Sequence, residues 1–173
     1  GELKQAGTFG DCATFSFYPG KNLGAYGDAG AITTNNYDLA KQMRMYANHG
    51  RISKYKHEFE GINSRMDGMQ AAILNVKLEY LQNWTNRRRK IAKHYIDKLS
   101  NINQIELPIV HSKCNPAWHL FVIRISNRNK VIEELNSKGI QTVIHYPVPI
   151  HRQKAYEHHQ QYKVKINKSD QYA

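Results

Sequence analysis

Cysteine and long apolar runs are scarce in this chain of 173 residues. Its two cysteines, Cys12 and Cys114, lie far apart and form no C-x-x-C pair, so the sequence indicates neither a structural zinc site nor a disulfide framework. Two unpaired thiols are typical of the reducing cytoplasm, where we expect this protein. No apolar run approaches the roughly 20 residues that a membrane-spanning helix needs, so we expect no membrane partner.

Acidic residues are also few, with 14 of them against 25 lysines and arginines, and the net charge is +11. A basic excess of this kind indicates an anionic partner, such as nucleic acid or a phosphorylated small molecule. The densest basic cluster is Arg87–Lys90, followed by Lys93, and its helical context predicts a solvated helix face. No aromatic residue interleaves with the cluster, so a nucleic-acid-binding module is the less favoured alternative and we expect no nucleic-acid partner.

The common nucleotide and metal motifs are absent as well. Gly20-Lys21-Asn22 is not a P-loop, because Phe15 stands at the first glycine position and Asn22 at the Ser/Thr position. The glycines that follow have G-x-x-G-x-x-G spacing, which is not the dinucleotide fingerprint. We expect no metal, because neither paired cysteines nor carboxylates accompany the four clustered histidines His145, His151, His158 and His159.

The most informative stretch that is present surrounds Lys21. Thr14–Tyr18 alternates as a half-buried strand does, Pro19-Gly20 interrupts it, and Ala31–Thr33 resumes an extended run. The pattern predicts a hairpin with Lys21 at the turn. A lysine held between a small hydroxyl residue and a glycine-rich loop can do covalent chemistry when its amine is desolvated. The alternative from spacing alone is a surface hairpin with an exposed lysine.

Hydrophobic periodicity and capping residues divide the rest of the chain into α and β elements. We expect Asn35 or Asn36 to cap the first helix and Gly139 to end the last one. The predicted helices cover Asp38–Tyr46, about Asp67–Leu99, and Asn129–Ser137, and the predicted strands beyond the hairpin cover His119–Ile125 and Ile140–His145.

The segment Phe15–Ile32, FSFYPGKNLGAYGDAGAI, closely resembles the lysine segment of the DegT/DnrJ/EryC1/StrS family of pyridoxal-phosphate-dependent sugar aminotransferases. The resemblance continues, in the family's order, through YANHGR, GINSRMD, WHLF and HYPVPIH, which begin at Tyr46, Gly61, Trp118 and His145. It therefore covers nearly the whole chain, and five motifs in sequence are far more specific than one.

This resemblance implies an α/β fold, as a fragment of the fold-type I, aspartate aminotransferase-like transferases. Residues 1–84 would be the end of the large cofactor-binding domain, and residues 85–173 a truncated small C-terminal domain. Full-length members of the family are roughly twice as long, and the chain does not begin with methionine. We therefore expect a fragment that lacks the N-terminal half.

The resemblance also implies the site. Lys21 matches the lysine that forms the internal aldimine with pyridoxal phosphate, and Ser16 matches a serine on the cofactor phosphate. Asn63 matches an asparagine that reaches the cofactor phosphate across a dimer interface, which implies a homodimer with shared active sites. The expected substrate-binding residues are Tyr18, Lys54, His145 and Tyr146.

The implied function is transfer of an amino group from glutamate to a nucleotide-linked keto sugar, in deoxyamino-sugar or polysaccharide biosynthesis. The sequence of the HYPVPIH motif most resembles the matching motif of members that act at C3 of deoxythymidine-diphosphate keto sugars. The alternative from a different class is a truncated fragment without cofactor, which folds or dimerises but catalyses nothing.

Overall fold

The computed structural model describes residues 4–156 together with His158 and Ser169. The chain divides into two compact units. The first contains the residues up to Ile91 together with Val110–His119, and the second contains Ala92–Ile109 and the residues from Leu120 on. The assignment of residues 1–84 and 85–173 to a large and a small domain stays a prediction.

The first unit contains the hairpin that the sequence predicts around Lys21. Strand β1 (Ala13–Ser16) pairs antiparallel with β2 (Gly30–Thr33), and Phe15 lies opposite Ala31. The regular ladder ends at Ser16 rather than Tyr18, although the Phe17 N–H still donates to the Ala29 carbonyl oxygen at 2.8 Å. The loop that carries Lys21 therefore connects two paired strands.

Helix α1 (Tyr37–Tyr46) follows, as predicted, and Asn36 rather than Asn35 is its cap. The Asn36 Oδ1 accepts the Leu39 N–H at 3.0 Å, which satisfies one of the free donors of the first turn. The chain then forms a short hairpin of β3 (Arg51–Ser53) and β4 (Lys56–His57).

The predicted single helix from Asp67 to Leu99 is wrong. The segment forms α2 (Gly68–Leu78) and α3 (Leu81–Leu99), which are separated by a tight turn. There the Tyr80 N–H bonds to the Lys77 carbonyl oxygen three residues back, at 3.1 Å. Neither glycine nor proline marks this break, and apolar residues continue at helical spacing across it, so periodicity alone did not indicate it.

In the second unit, β5 (Ile105–Glu106) pairs antiparallel with β6 (Arg124–Ile125), and α4 (Arg128–Ser137) follows. Gly139 ends α4 with a φ of +76°, as the sequence predicts. Its N–H bonds to the Asn136 carbonyl oxygen and the Ile140 N–H bonds to that of Leu135, each at 2.9 Å. This pair of bonds is the Schellman motif, which favours glycine at its left-handed position.

One further predicted strand is formed only in its last two residues, and another is wrong. Of His119–Ile125, only β6 is paired, because β5 offers it just Ile105 and Glu106 as partners. Ile140–His145 forms no strand in the part of the chain that the structure describes. Alternation along a sequence favours extended backbone, but a strand also needs a partner, and that partner is not a local property. Two short 3-10 helices, Ile150–Arg152 and Lys154–Tyr156, follow.

Few apolar side chains are buried in either unit. Among the described residues, Ala25, Leu74 and Ala92 are the buried apolar ones. Phe15 and Ile32 on the first hairpin remain 40% and 51% exposed. Exposed apolar surface of this extent is typical of a unit that packs against further polypeptide.

Candidate active site

Lys21 lies at the end of a tight turn directly after β1. The Lys21 N–H donates to the Tyr18 carbonyl oxygen at 2.8 Å, with Pro19 and Gly20 at the two central positions. Proline suits the first of these, because its ring fixes φ at the value that the turn requires. The lysine is half-buried, and its Nζ has no hydrogen bond or ion pair among the described residues. Its amine is therefore available to a ligand.

The loop after Lys21 folds back on this turn. The Ala25 N–H donates to the Phe17 carbonyl oxygen at 2.7 Å, and Ala25 is only 1% exposed. A Cβ atom at Gly24 would overlap the backbone of Pro19, so only glycine allows this close approach. The two sides of the loop are thus packed together by backbone contacts.

Helix α2 provides the first anchor outside the hairpin. The Gln70 Oε1 accepts the Tyr26 N–H at 2.8 Å. The Lys77 Nζ donates to the Gly24 carbonyl oxygen and lies 5.2 Å from the centroid of the Tyr26 ring. Gln70 and Lys77 are two helical turns apart and so share one face of α2. Together they hold the part of the loop that follows Lys21.

Residues 115–119, here called the carbonyl segment, provide the second anchor. The Asn22 Nδ2 donates to the Ala117 carbonyl oxygen at 3.0 Å. The same segment accepts hydrogen bonds from two arginines of α3, since Arg88 Nη1 contacts the Trp118 and His119 oxygens at 3.3 and 3.2 Å, and Arg89 Nε contacts the Pro116 oxygen at 3.1 Å. The neighbour of Lys21 is therefore tied to a segment that α3 holds.

The expectation of a fully solvated basic face on α3 is therefore wrong for Arg88 and Arg89. Both are half-buried, whereas Arg87 and Lys90 are exposed. A guanidinium carries five N–H donors in a planar fork and can serve several carbonyl oxygens at once, which accounts for the inward direction of two of the arginines. The helical pattern did not distinguish them from their neighbours.

The structure brings Ser16, Tyr18 and Lys21 together on one strand end and turn. Ser16 is exposed at the end of β1, and its Oγ accepts the Tyr18 N–H at 3.3 Å. Tyr18 is 59% exposed, and its carbonyl oxygen accepts the hydrogen bond from the Lys21 N–H. The hydroxyl group and the amine thus belong to one short, hydrogen-bonded piece of chain.

Asn63 and Lys54 lie elsewhere in the first unit. Asn63 forms an antiparallel bridge with Asn48, and its Oδ1 accepts from the Arg65 Nε at 3.0 Å. Lys54 is exposed in the turn of the β3–β4 hairpin, 5.2 Å from the centroid of the Tyr55 ring. No described hydrogen bond joins either residue to Lys21, and their roles stay predictions.

His145 and Tyr146 belong to the second unit. Both are exposed, and their rings meet edge to face with centroids 5.1 Å apart. Their role in substrate binding stays a prediction. Within the described residues, no three His, Cys, Asp or Glu side chains gather at one point, and no helix is both long and apolar enough to cross a bilayer.

The supporting residues around Lys21 were missed by sequence reasoning. Asn22 directly follows the lysine, and Gln70 and Lys77 are polar residues seven positions apart on one helix. That spacing is a signal for a shared face, but it does not name the loop that the face contacts. Arg88 and Arg89 gave no signal that separated them from the rest of their cluster.

Comparison with known proteins identifies the chain's relatives. A sequence profile of the DegT/DnrJ/EryC1/StrS aminotransferase family matches residues 1–173. The chain belongs to this family. It is 48% identical over 158 residues to dTDP-3-amino-3,6-dideoxy-alpha-D-galactopyranose transaminase of Aneurinibacillus thermoaerophilus, covering 91% of this chain and 43% of that protein. It is 44% identical over 153 residues to dTDP-3-amino-3,4,6-trideoxy-alpha-D-glucose transaminase of Streptomyces venezuelae, covering 88% and 40%.

Solved structures of the family share the fold. DesV of S. venezuelae matches at a TM-score of 0.83 and 45% identity, over 85% of this chain and 40% of that one. NtdA of Bacillus subtilis, which holds the cofactor PMP, matches at 0.77 and 38%, over 86% and 36%. The chain therefore corresponds to part of the aminotransferase fold, as the sequence predicts, and it spans about two fifths of the length of these relatives.

Proposed function

We propose that this chain carries the cofactor lysine of a pyridoxal-phosphate-dependent aminotransferase that acts on a nucleotide-linked keto sugar. The observation that carries the proposal is the amine of the half-buried residue Lys21, which has no hydrogen bond or ion pair among the described residues. Its turn is held from two sides, by α2 and by the carbonyl segment. A covalent lysine needs this combination of a free amine and a fixed backbone.

The residues present fit a phosphorylated aldehyde cofactor. The Lys21 amine suits the aldehyde, and the Ser16 hydroxyl group is a neutral donor suited to the phosphate. When bound, the cofactor supplies an electron sink for the bond changes at the substrate carbon. In the proposed site, Lys21 Nζ holds the cofactor and then moves a proton at the substrate carbon, while Ser16 Oγ donates to the phosphate. Asn63 is proposed to donate to the phosphate of a neighbouring subunit's site.

The acceptor is proposed to be a nucleoside-diphosphate sugar with a ketone at C3. The names of the relatives from A. thermoaerophilus and S. venezuelae both place the amino group at C3 of a dTDP sugar. A third relative, 37% identical, is 3-oxo-glucose-6-phosphate:glutamate aminotransferase of B. subtilis, and its name supports glutamate as the amino donor. Lys54 would neutralise substrate phosphates, and Tyr18, His145 and Tyr146 would contact the sugar.

The chain by itself is proposed to bind the cofactor weakly and to catalyse no turnover. It covers 42% of the length of EryC1 of Saccharopolyspora erythraea, to which it is 47% identical, and few apolar side chains of the described part are buried. Ser16 and Asn63 are both exposed to solvent, where water competes for a phosphate. The active form is proposed to be a cytoplasmic homodimer of the longer protein, with shared sites.

An amino-transfer assay tests the proposal. The chain alone and the product of the complete reading frame are each incubated with pyridoxal phosphate, L-glutamate and a dTDP-linked 3-keto sugar, and the amino sugar is measured by mass spectrometry. The complete protein should form it, Lys21→Ala should abolish it, and the chain alone should form none. Lys90→Ala removes an exposed lysine of α3 and is the matched control. Formation of the amino sugar by Lys21→Ala at the wild-type rate would contradict the proposal.

A further inference from the structure

We infer that Arg88 and Arg89 are positioning residues for Lys21, which they reach through the carbonyl segment and Asn22. Their relevance to catalysis rests on the proposed function. The geometry of the contacts does not depend on the proposed function, because all of them lie within the first unit and involve no cofactor.

The first step of the relay is the contact between α3 and the carbonyl segment. Residues 115–119 form neither helix nor strand, so no backbone ladder fixes their position. In its place, Arg88 bonds two of their carbonyl oxygens, and Arg89 bonds those of Pro116 and Asn115, the latter at 3.5 Å. The Arg89 Nη1 also donates to the Asn86 Oδ1 at 3.2 Å, which orients the guanidinium group on its own helix. Charged donors make the stronger class of hydrogen bond, so these contacts hold the segment against α3.

The second step is the contact between the segment and the lysine loop. Ala117, in the middle of the segment, accepts the Asn22 side-chain bond. The Asn22 Oδ1 is buried and has no hydrogen-bond partner in the described part of the chain. Within that part, the bond from Asn22 Nδ2 to Ala117 is therefore the hydrogen bond that the Asn22 side chain makes. Because Asn22 is bonded directly to Lys21 in sequence, a displaced carbonyl segment would remove the anchor nearest to the Lys21 amine, while the α2 contacts to Gly24 and Tyr26 remain. The turn bond from Lys21 to Tyr18 lies within the loop, and α2 contacts the loop only from Gly24 onward among the described residues, so the bond from Asn22 to Ala117 is the one that links the lysine's neighbour to the segment held by α3.

Arg87 offers a matched control. It lies beside Arg88 on α3 and carries the same charge, but its side chain is exposed. Replacement of Arg87 by methionine therefore changes the charge of the helix without touching the carbonyl segment. An effect confined to Arg88 and Arg89 would follow from hydrogen bonding and not from the general basic potential.

Amide hydrogen exchange on the chain tests the relay without any cofactor. We expect Arg89→Met and Asn22→Ala each to speed exchange in the peptide covering residues 17–24 by about fivefold, the factor expected for loss of one hydrogen bond. Arg87→Met should leave that peptide unchanged. In the double variant, Arg89→Met should add nothing to the effect of Asn22→Ala on this peptide, because both act through one contact.

A second readout follows the amine directly. The variants are incubated with pyridoxal phosphate and reduced with borohydride, and the label on Lys21 is compared with the label on exposed Lys90 in the same molecule. We expect the Lys21-to-Lys90 ratio to fall about fivefold in Arg89→Met and to recover in part in Arg89→Lys, which keeps one donor. The ratio should stay unchanged in Arg87→Met. A merely structural loss would lower the melting temperature without this selective change.

Two results would overturn the inference. The first is faster exchange in residues 115–119 of Arg89→Met with no change in residues 17–24. The second is that the effects of Arg89→Met and Asn22→Ala on residues 17–24 multiply in the double variant. If Arg89→Met does not fold, Arg89→Lys takes its place in the same comparison. If Lys21 is not labelled even in the complete protein without substitutions, the proposed function fails, while the exchange data still decide the inference.

Discussion

The side-chain oxygen of Gln70 accepts the backbone N–H of Tyr26 at 2.8 Å, and so ties helix α2 to the loop that follows Lys21. Gly27, next to Tyr26, has no room for a larger side chain without moving Gln70, because a Cβ atom there would lie 3.2 Å from Gln70 Nε2. The glutamine therefore packs against the loop as well as bonding to it. The position of the loop depends on a helix that is distant in sequence.

Gln70→Ala should lower the free energy of unfolding by about 0.5–1.5 kcal/mol, the usual net value of one hydrogen bond. The value should lie toward the low end, because the exposed surroundings of Tyr26 let water replace the lost acceptor. Urea denaturation measures it. Gln82→Ala is the control, since among the described residues the hydrogen-bond partner of Gln82 is Asn86 on its own helix. Equal losses in the two variants would show that the contact with the loop adds nothing.

Gly24→Ala should destabilise the first unit by about 1–3 kcal/mol, because the new methyl group would overlap the backbone of Pro19. Gly68→Ala is the matched substitution, since a Cβ atom at the start of α2 meets nothing within 4 Å. That variant should be neutral or stabilising by up to about 1 kcal/mol, because alanine loses less backbone entropy on folding. Thermal and urea unfolding compare the two. A Gly24→Ala variant as stable as Gly68→Ala would mean that the turn and the loop do not pack as described.

The proposed sharing of sites between subunits predicts complementation in the complete protein. Lys21→Ala and Asn63→Asp should each be inactive, and a mixture of the two should regain activity, because one site of the mixed dimer has both residues intact. Asn63→Asp keeps an acceptor for Arg65, so the fold should persist, while its carboxylate repels a phosphate. Amino-sugar formation after subunit exchange is the measurement. If exchange is demonstrated and the mixture stays inactive, Asn63 does not serve the neighbouring site.

Local signals in the sequence predicted the elements whose causes are local. Asn36 caps α1 through its own side chain, Gly139 ends α4 in a left-handed conformation, and Pro19 shapes the turn before Lys21. Each of these depends on residues a few positions apart. The family resemblance rested on the same kind of short, contiguous motif, and the profile match over the whole chain confirms it.

The features that sequence reasoning missed either have no distinct local signal or depend on contacts between distant segments. Ile140–His145 alternates as a strand does but has no described partner, and the break near Tyr80 falls within an apolar pattern that continues across it. Arg88 differs from Arg87 only in what its side chain meets, a segment about 30 residues further along the chain. The same holds for Gln70 and its loop. The spacing of residues along one helix or strand does not identify the segment that the helix or strand contacts.

Mapping the site of cofactor attachment distinguishes Lys21 from every other lysine of the protein. The complete protein is incubated with pyridoxal phosphate, reduced with borohydride, digested and analysed by mass spectrometry, with Lys21→Arg as the control. We expect the pyridoxyl mass on the peptide that contains Lys21, and its loss from that peptide in the control. A label on another lysine, such as Lys54 or Lys90, with Lys21 unmodified, would show that Lys21 is not the cofactor lysine.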